Sequence, residues 1–295
     1  MIAELYWLRN VQRGYCMSGI DFETEYNNRL RVPEHPAIIS RWLEASAAAR
    51  AWLGGANDLA YGPGARHRYD MLHIKGAASN GLPLVVYIHG GYWQSRDRKD
   101  FSFIAPALAA KGIAVAIPSY SLCPAVTVAE IIEEVRALIV NLWQRTRQRP
   151  VVVGHSAGGH LAAAMLATDW STKPGVPADL VRSAYAISGV FDLPPLIPTS
   201  INDALKLNPE TARTASPLFW KAPPKERTLV ASVGGRESRE FLRQSLDIAA
   251  AWSNAGVKAE CVVVPNANHF TIVDELARPE SAMVARIANM AWASA

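Results

Sequence analysis

Gly154-His155-Ser156-Ala157-Gly158 sets one serine between two glycines, directly after the β-branched run Val151-Val152-Val153 and before a stretch rich in Ala and Leu. Strand, very tight turn and helix in that order is the sequence form of a nucleophile elbow. Neighbours with a Cβ would collide across such a turn, which gives Gly154 and Gly158 a steric reason to be glycine. The hydroxyl of Ser156 would then project from a strand end at the N-terminus of a helix, where the free N–H groups and the helix dipole favour developing negative charge. The competing reading of the same stretch is a small-residue turn that packs a helix on a strand.

A serine hydroxyl is a poor nucleophile at neutral pH, so it needs a base for its proton and a site for the oxyanion. Of the seven histidines, His155 lies inside the turn and His160 sits one helical turn along, pointing away from the strand end. His269, in Pro265-Asn266-Ala267-Asn268-His269-Phe270, follows the last predicted strand and completes the chain order Ser, acid, His. The acid should follow the preceding strand. Thr228–Val233 runs into Gly234-Gly235-Arg236-Glu237, which makes Glu237 the assigned carboxylate. Its role would be to hold the imidazole tautomer and stabilise the imidazolium. Asp192 is the rival, Glu240 lies later at the start of the next helix, and Glu237 read blandly is a charge at a helix N-terminus.

The oxyanion site is expected at His89-Gly90-Gly91-Tyr92-Trp93, where an apolar strand breaks. Adjacent glycines let the backbone turn its N–H groups toward a ligand. The expected donors are the N–H of Gly90 or Gly91, or of Tyr92, together with that of Ala157. His89 reads as a brace for this loop. Tyr92 and Trp93 offer an aromatic wall for substrate or, alternatively, core packing.

These pieces need a scaffold that brings strand ends to one edge. Strands are predicted at His67–Ile74, Leu82–Ile88, Ile113–Ile117, Val151–Val153, Leu180–Ser188, Thr228–Val233 and Glu260–Val264, of which Leu82–Ile88 and Ile113–Ile117 are apolar runs of strand length. Helical periodicity is predicted over Pro36–Trp52, Lys99–Lys111, Val128–Gln144, Ala157–Thr168, Phe241–Ala255 and Ser281–Trp292. Apolar strands alternating with helices define an α/β chain with a mostly parallel sheet covered on both faces. Gly54-Gly55 should end the first helix, with Asp58–Gly64 as a loop. Residues 1–19 read as a mobile N-terminal extension, with Met17 as an alternative start. Residues 20–295 read as one domain, in which about 192–220 form a cap-like insertion or pocket wall, or else an ordinary long connection.

Half of the 295 residues are hydrophobic, and 30 basic against 26 acidic side chains leave a net charge of only +4. No basic run points to nucleic acid, and no apolar run reaches the roughly 18 residues that span a bilayer. Three widely spaced cysteines (Cys16, Cys123, Cys261) fit free thiols in a reducing cytoplasm. No Gly-x-Gly-x-x-Gly follows the first parallel strand and no helical His-x-x-x-His appears, so neither a nicotinamide or flavin nor a zinc site is expected. The expected partners are a small-molecule substrate and, at most, a second copy of the chain in a homodimer.

His-Gly-Gly-Tyr-Trp (89–93), Gly-His-Ser-Ala-Gly-Gly-His (154–160) and the Asn-His-Phe of 268–270 resemble the α/β-hydrolase superfamily. More narrowly, the chain resembles the kynurenine formamidase (arylformamidase) family from about residue 20 to its end, with Trp93 as the specific mark. Gly189–Leu193, Glu240–Ser245 and His269–Val273 support it. The resemblance implies an α/β-hydrolase fold, Ser156, Glu237 and His269 as the triad, and no metal or organic cofactor. It also implies hydrolysis of a small acyl group, formyl or short-chain, from an aryl amide or ester. One departure stands out: the family usually carries Asp where Glu237 lies. The alternatives are a general short-chain carboxylesterase or amidase, a carbamate hydrolase and, in another class, a non-catalytic ligand-binding homologue.

Overall fold

The structure is a computed structural model that describes residues 19–76 and 81–295. The expectation of a mobile N-terminal extension falls, apart from Gly19, outside the described residues.

Eight strands form one sheet: β1 (Gly54–Ala60), β2 (Arg68–His73), β3 (Leu84–Ile88), β4 (Ala114–Pro118), β5 (Val151–His155), β6 (Ser183–Ile187), β7 (Thr228–Gly234) and β8 (Lys258–Val264). Their order is β1-β2-β4-β3-β5-β6-β7-β8. β2 runs antiparallel to both its neighbours, and every pair from β4 to β8 is parallel. The chain leaves β3 toward β4 on one side and returns to β5 on the other. That reversal opens a crevice at the carboxyl ends of β3 and β5, where open α/β sheets bind ligands.

The continuous apolar runs follow from burial on both sheet faces. Val86 and Ile88 of β3 and Val152 of β5 join a core beneath the helices Val128–Thr146, Ala157–Ala167 and Arg239–Asn254. Their alternating neighbours Val85, Tyr87, Val151 and Val153 join a second core beneath His35–Trp52, Ala105–Ala109 and Ala282–Ser294. Thr127 and Glu130 start the helix Val128–Thr146 with a reciprocal capping box. Among the described residues, no helix is long and apolar enough to cross a membrane.

Two expectations need correction. Gly54–Ala60 is not a helix stop and loop but the edge strand β1, paired antiparallel with β2 through a bulge between Ala56 and Leu59. Its residues are mostly exposed, so it has neither the apolar run nor the alternation that marks a strand in sequence. What holds it is tertiary: the Asp58 N–H donates to buried Asp70 at 2.8 Å, and Arg98 bridges Asp58 and Asp70. The expected helix over Lys99–Lys111 is a 3-10 turn, Arg98–Ile104, opening into the short helix Ala105–Ala109.

Between β6 and β7 lie four short helical turns: Pro194–Leu196, Asn202–Leu205, Pro209–Thr214 and Pro217–Phe219. They are tied down from below. His160 donates from Nε2 to the Ala215 carbonyl at 2.7 Å, and Ser216 Oγ accepts from the Leu193 N–H at 2.9 Å.

Candidate active site

Because β3, β5, β6, β7 and β8 are parallel and in step, the loops after them emerge on one edge. Ser156 follows β5 in the left-handed region, at φ 58° and ψ −118°, and is only 2% exposed. A serine held there is strained, and the surroundings make the turn possible. A Cβ on Gly158 would lie 1.9 Å from the Ile88 carbonyl oxygen. The helix therefore approaches β3 at a separation only glycine permits.

His269 and Glu237 meet across the loops after β8 and β7. His269 Nδ1 donates to Glu237 Oε2 at 2.7 Å. The other carboxylate oxygen accepts two more bonds, from Ser188 Oγ and the Gly234 N–H, each at 2.6 Å. Three donors on a fully covered carboxylate fix its direction. With Nδ1 committed as a donor, a neutral imidazole leaves Nε2 as its acceptor. Ser156 and His269 line the same cavity. No hydrogen bond joins Ser156 Oγ to His269 among the described residues; such contacts commonly tighten only when substrate is bound. The rival acid Asp192 lies elsewhere, paired with Arg243 at 3.1 Å.

The loop after β3 completes the wall. Gly90 packs so closely that a Cβ there would lie 3.0 Å from the Ser156 Cβ. Gly91 has φ 105°, and Tyr92 and Trp93 follow in the left-handed region. Among the described residues, the N–H groups of Gly90, Gly91 and Ala157 meet no acceptor. Donors left open beside a buried serine can receive a developing oxyanion. The loop is braced by His89, whose Nδ1 donates to the Gly90 carbonyl at 2.8 Å and whose ring stacks on Tyr120 at 4.4 Å.

Tyr92 lines the cavity, but Trp93 does not. The expectation that Trp93 contacts substrate is corrected. Its indole is fully buried and packs perpendicular to the His160 ring, with ring centroids 5.0 Å apart. Two adjacent residues at positive φ send their side chains to different places, so Tyr92 faces the site and Trp93 the core.

Sequence reasoning missed several residues. Ser188 clamps the Glu237 carboxylate, and its position at the end of β6, on the same edge as the other loops, was the available signal. His155 braces the loop after β8 by donating from Nε2 to the His269 carbonyl at 2.8 Å. Phe241 packs its ring 4.5 Å from that of His269. The short helices Phe22–Tyr26 and Asn28–Arg31 bring Asn28 and Arg29 to the cavity wall. Buried Tyr26 anchors them through its hydroxyl, which donates to Glu240 at 2.7 Å. Nothing in a polar stretch so far from the motifs marked it for the site.

Burial drives the His89 and His160 rings down to about 4 and His155 well below its ordinary value, so all three are neutral in the fold. Unfolding returns them to about 6.5. The unfolded chain then binds more protons below that value, and stability falls as pH drops from about 6.5 toward 4. His89 and His160 should each cost about 1.4 kcal/mol per pH unit in that window. Urea unfolding midpoints should fall steadily from neutral pH to about pH 5; a flat profile would show that the rings are not buried neutral.

The cavity holds about 340 Å³. The parallel sheet, the serine turn after β5 and the histidine loop after β8 define an α/β-hydrolase. Solved esterases agree in fold: that of Pyrobaculum calidifontis superposes with a TM-score of 0.66 at 17% identity, covering 90% of this chain and 96% of that one. A structure from Silicibacter sp. TM1040, provisionally described as a thioesterase, gives a TM-score of 0.82 at 32% identity over 91% of this chain and 99% of its own. A family model described as BD-FAE matches residues 70–187. The kynurenine formamidase of Salmo salar is 33% identical over 240 residues, 79% of this chain and 81% of the relative. That of Danio rerio is 31% identical over 246 residues, 81% of this chain and 83% of the relative. The chain belongs to the kynurenine formamidase family and is a hydrolase acting on acyl or formyl groups.

Proposed function

We propose that this hydrolase removes a formyl or short acyl group from an aryl amide or ester through an acyl-enzyme on Ser156. The observation that carries this reading is one cavity walled by Ser156, by His269 with Glu237 behind it, and by unpaired backbone N–H groups. His269 Nε2 takes the Ser156 proton as Oγ attacks the carbonyl carbon. The N–H groups of Gly90 or Gly91 and of Ala157 hold the oxyanion, one such donor being worth about 3 kcal/mol in the transition state. Imidazolium then protonates the leaving amine or alcohol, and His269 activates the water that frees the acid. Glu237 stabilises the imidazolium and keeps its own charge. Free Cys123 and Cys261 support a cytoplasmic setting, and no organic cofactor or metal enters this scheme.

Tyr92 and the close approach of Gly90 to Ser156 favour a small acyl group. Steady-state kcat/KM on an aryl formamide against short p-nitrophenyl esters separates the formamidase from a general esterase. Along p-nitrophenyl esters of rising acyl length, kcat/KM should fall steeply beyond a few carbons. A flat or rising series would refute the small acyl pocket.

A further inference from the structure

The sheet has two edges, and they differ. β1 carries a bulge between Ala56 and Leu59. A bulge is one of the ordinary defences of an edge strand against pairing with another chain. β8, at the other edge, has neither a bulge nor a proline. Its seven residues pair with β7 in unbroken register, from Thr228↔Lys258 to Gly234↔Val264. The charged residues Lys258 and Glu260 stand in its first half. The second half, Cys261–Val264, is apolar, with Val262 36% and Val263 48% exposed.

The backbone of β8 is half used. The Lys258 N–H donates to the Arg227 carbonyl at 3.2 Å, and the Val264 carbonyl accepts from the Gly235 N–H at 2.9 Å. Even-numbered residues therefore turn their backbone groups to β7, and Ala259, Cys261 and Val263 turn theirs away from it. The Ala259 N–H is satisfied by the Val257 carbonyl at 2.8 Å. The Ala259 carbonyl and both backbone groups of Cys261 and Val263 face an edge where no further strand stands among the described residues. Side chains alternate as well. Ala259 and Cys261 pack on the core beneath the helix Arg239–Asn254. Lys258, Glu260 and Val262 are exposed on the opposite face, where Glu260 pairs with Arg286 of the helix Ala282–Ser294.

We propose that two copies of this chain join through β8, antiparallel about a two-fold axis at Cys261, so that their sheets run on as one. In that register the N–H and carbonyl of Cys261 meet those of the partner's Cys261, and the Val263 N–H meets the partner's Ala259 carbonyl. All seven residues of each strand are paired. An axis at Glu260 would set two carboxylates directly opposite each other, which is unfavourable. An axis at Val262 would carry Lys258 and Ala259 past the end of the partner strand. With the axis at Cys261, Glu260 stands opposite the partner's Val262 and diagonal to the partner's Glu260, about 7–8 Å away. Each Arg286, already on its own Glu260, then lies within reach of both carboxylates, and the four charges alternate in sign about the axis. A foreign strand could satisfy the same backbone groups; this match of charge to charge is what favours a second copy.

Sedimentation velocity on the full chain over a range of concentrations should show a monomer–dimer equilibrium. Val262→Glu sets a carboxylate against the partner's Glu260 and should weaken the dimer by about a hundredfold or more, since like charges across an interface are costly. Val262→Lys, at the same exposed position, sets an ammonium there instead and should leave the dimer as tight or tighter. Arg286→Ala removes the charge that screens the two Glu260 side chains from each other and should weaken the dimer by about tenfold. Far-UV circular dichroism checks that each variant is folded, which the exposure of Val262 and Arg286 favours. A wild-type chain that stays monomeric throughout, or a dimer unmoved by both Val262→Glu and Arg286→Ala, overturns the interface. Equal weakening by Val262→Lys and Val262→Glu overturns the register at Cys261. The readout is mass, so none of these results depends on which acyl group the enzyme removes.

Discussion

Ser156→Ala should abolish turnover and leave the fold untouched. The substitution removes one oxygen from a turn whose backbone is set by the close approach of Gly158 to Ile88 and of Gly90 to Ser156. Alanine occupies the same backbone conformation with the same Cβ, so the strain at φ 58° does not change. The loss in kcat should reach on the order of a millionfold, the scale seen when the serine nucleophile of a serine-protease triad is deleted. Activated-ester assays give the rate, and thermal unfolding checks the fold. A sulfonyl fluoride should label Ser156 in the native enzyme and nothing in the variant. An active alanine variant, or labelling at another residue, would remove Ser156 from the mechanism.

The second large effect is expected at Glu237. Glu237→Gln keeps the shape and one carbonyl oxygen, which can still accept from Ser188 and the Gly234 N–H. The amide nitrogen then faces His269 Nδ1, where the carboxylate now accepts at 2.7 Å. A donor facing Nδ1 forces the proton onto Nε2, the nitrogen that must take the serine proton. The imidazole becomes the wrong tautomer. A loss near 10⁴ in kcat is expected, the size of the Asp-to-Asn effect in the serine-protease triad. Glu237→Asp should fall between, because a shorter side chain reaches poorly from a backbone placed for Glu. Asp192→Asn should cost far less, since Asp192 serves Arg243. Near-full activity in Glu237→Gln would reduce the carboxylate to a structural charge.

The length of the Glu237 side chain has a visible setting. Glu237 lies in the loop that follows β7, and its Oε1 turns back to the Gly234 N–H at the end of that strand. The longer side chain thereby spans from its own strand end to His269 on the next loop while Ser188 holds it from β6.

The strands β3 to β7 are legible in the residues alone, because strands covered on both faces are apolar nearly throughout and so stand out as runs. The loops that carry Ser156, Glu237, His269 and the Gly90-Gly91 pair are located in the same way. Parallel strands deliver their carboxyl ends to one edge, so chain order there nearly dictates spatial order. Other features arose only on folding. β1 is exposed, and it is a strand only because Asp58, Asp70 and Arg98 and the β2 ladder hold it. Tyr92 and Trp93 are adjacent aromatics with the same expectation, and their two positive φ angles sent one to the cavity and one to the core. Asn28 and Arg29 lie more than a hundred residues before the serine. They reach its cavity because Tyr26 docks on Glu240 and Gln244 of a helix near the other end of the chain. Local periodicity records which face of an element is buried; it holds no record of which distant segment covers it.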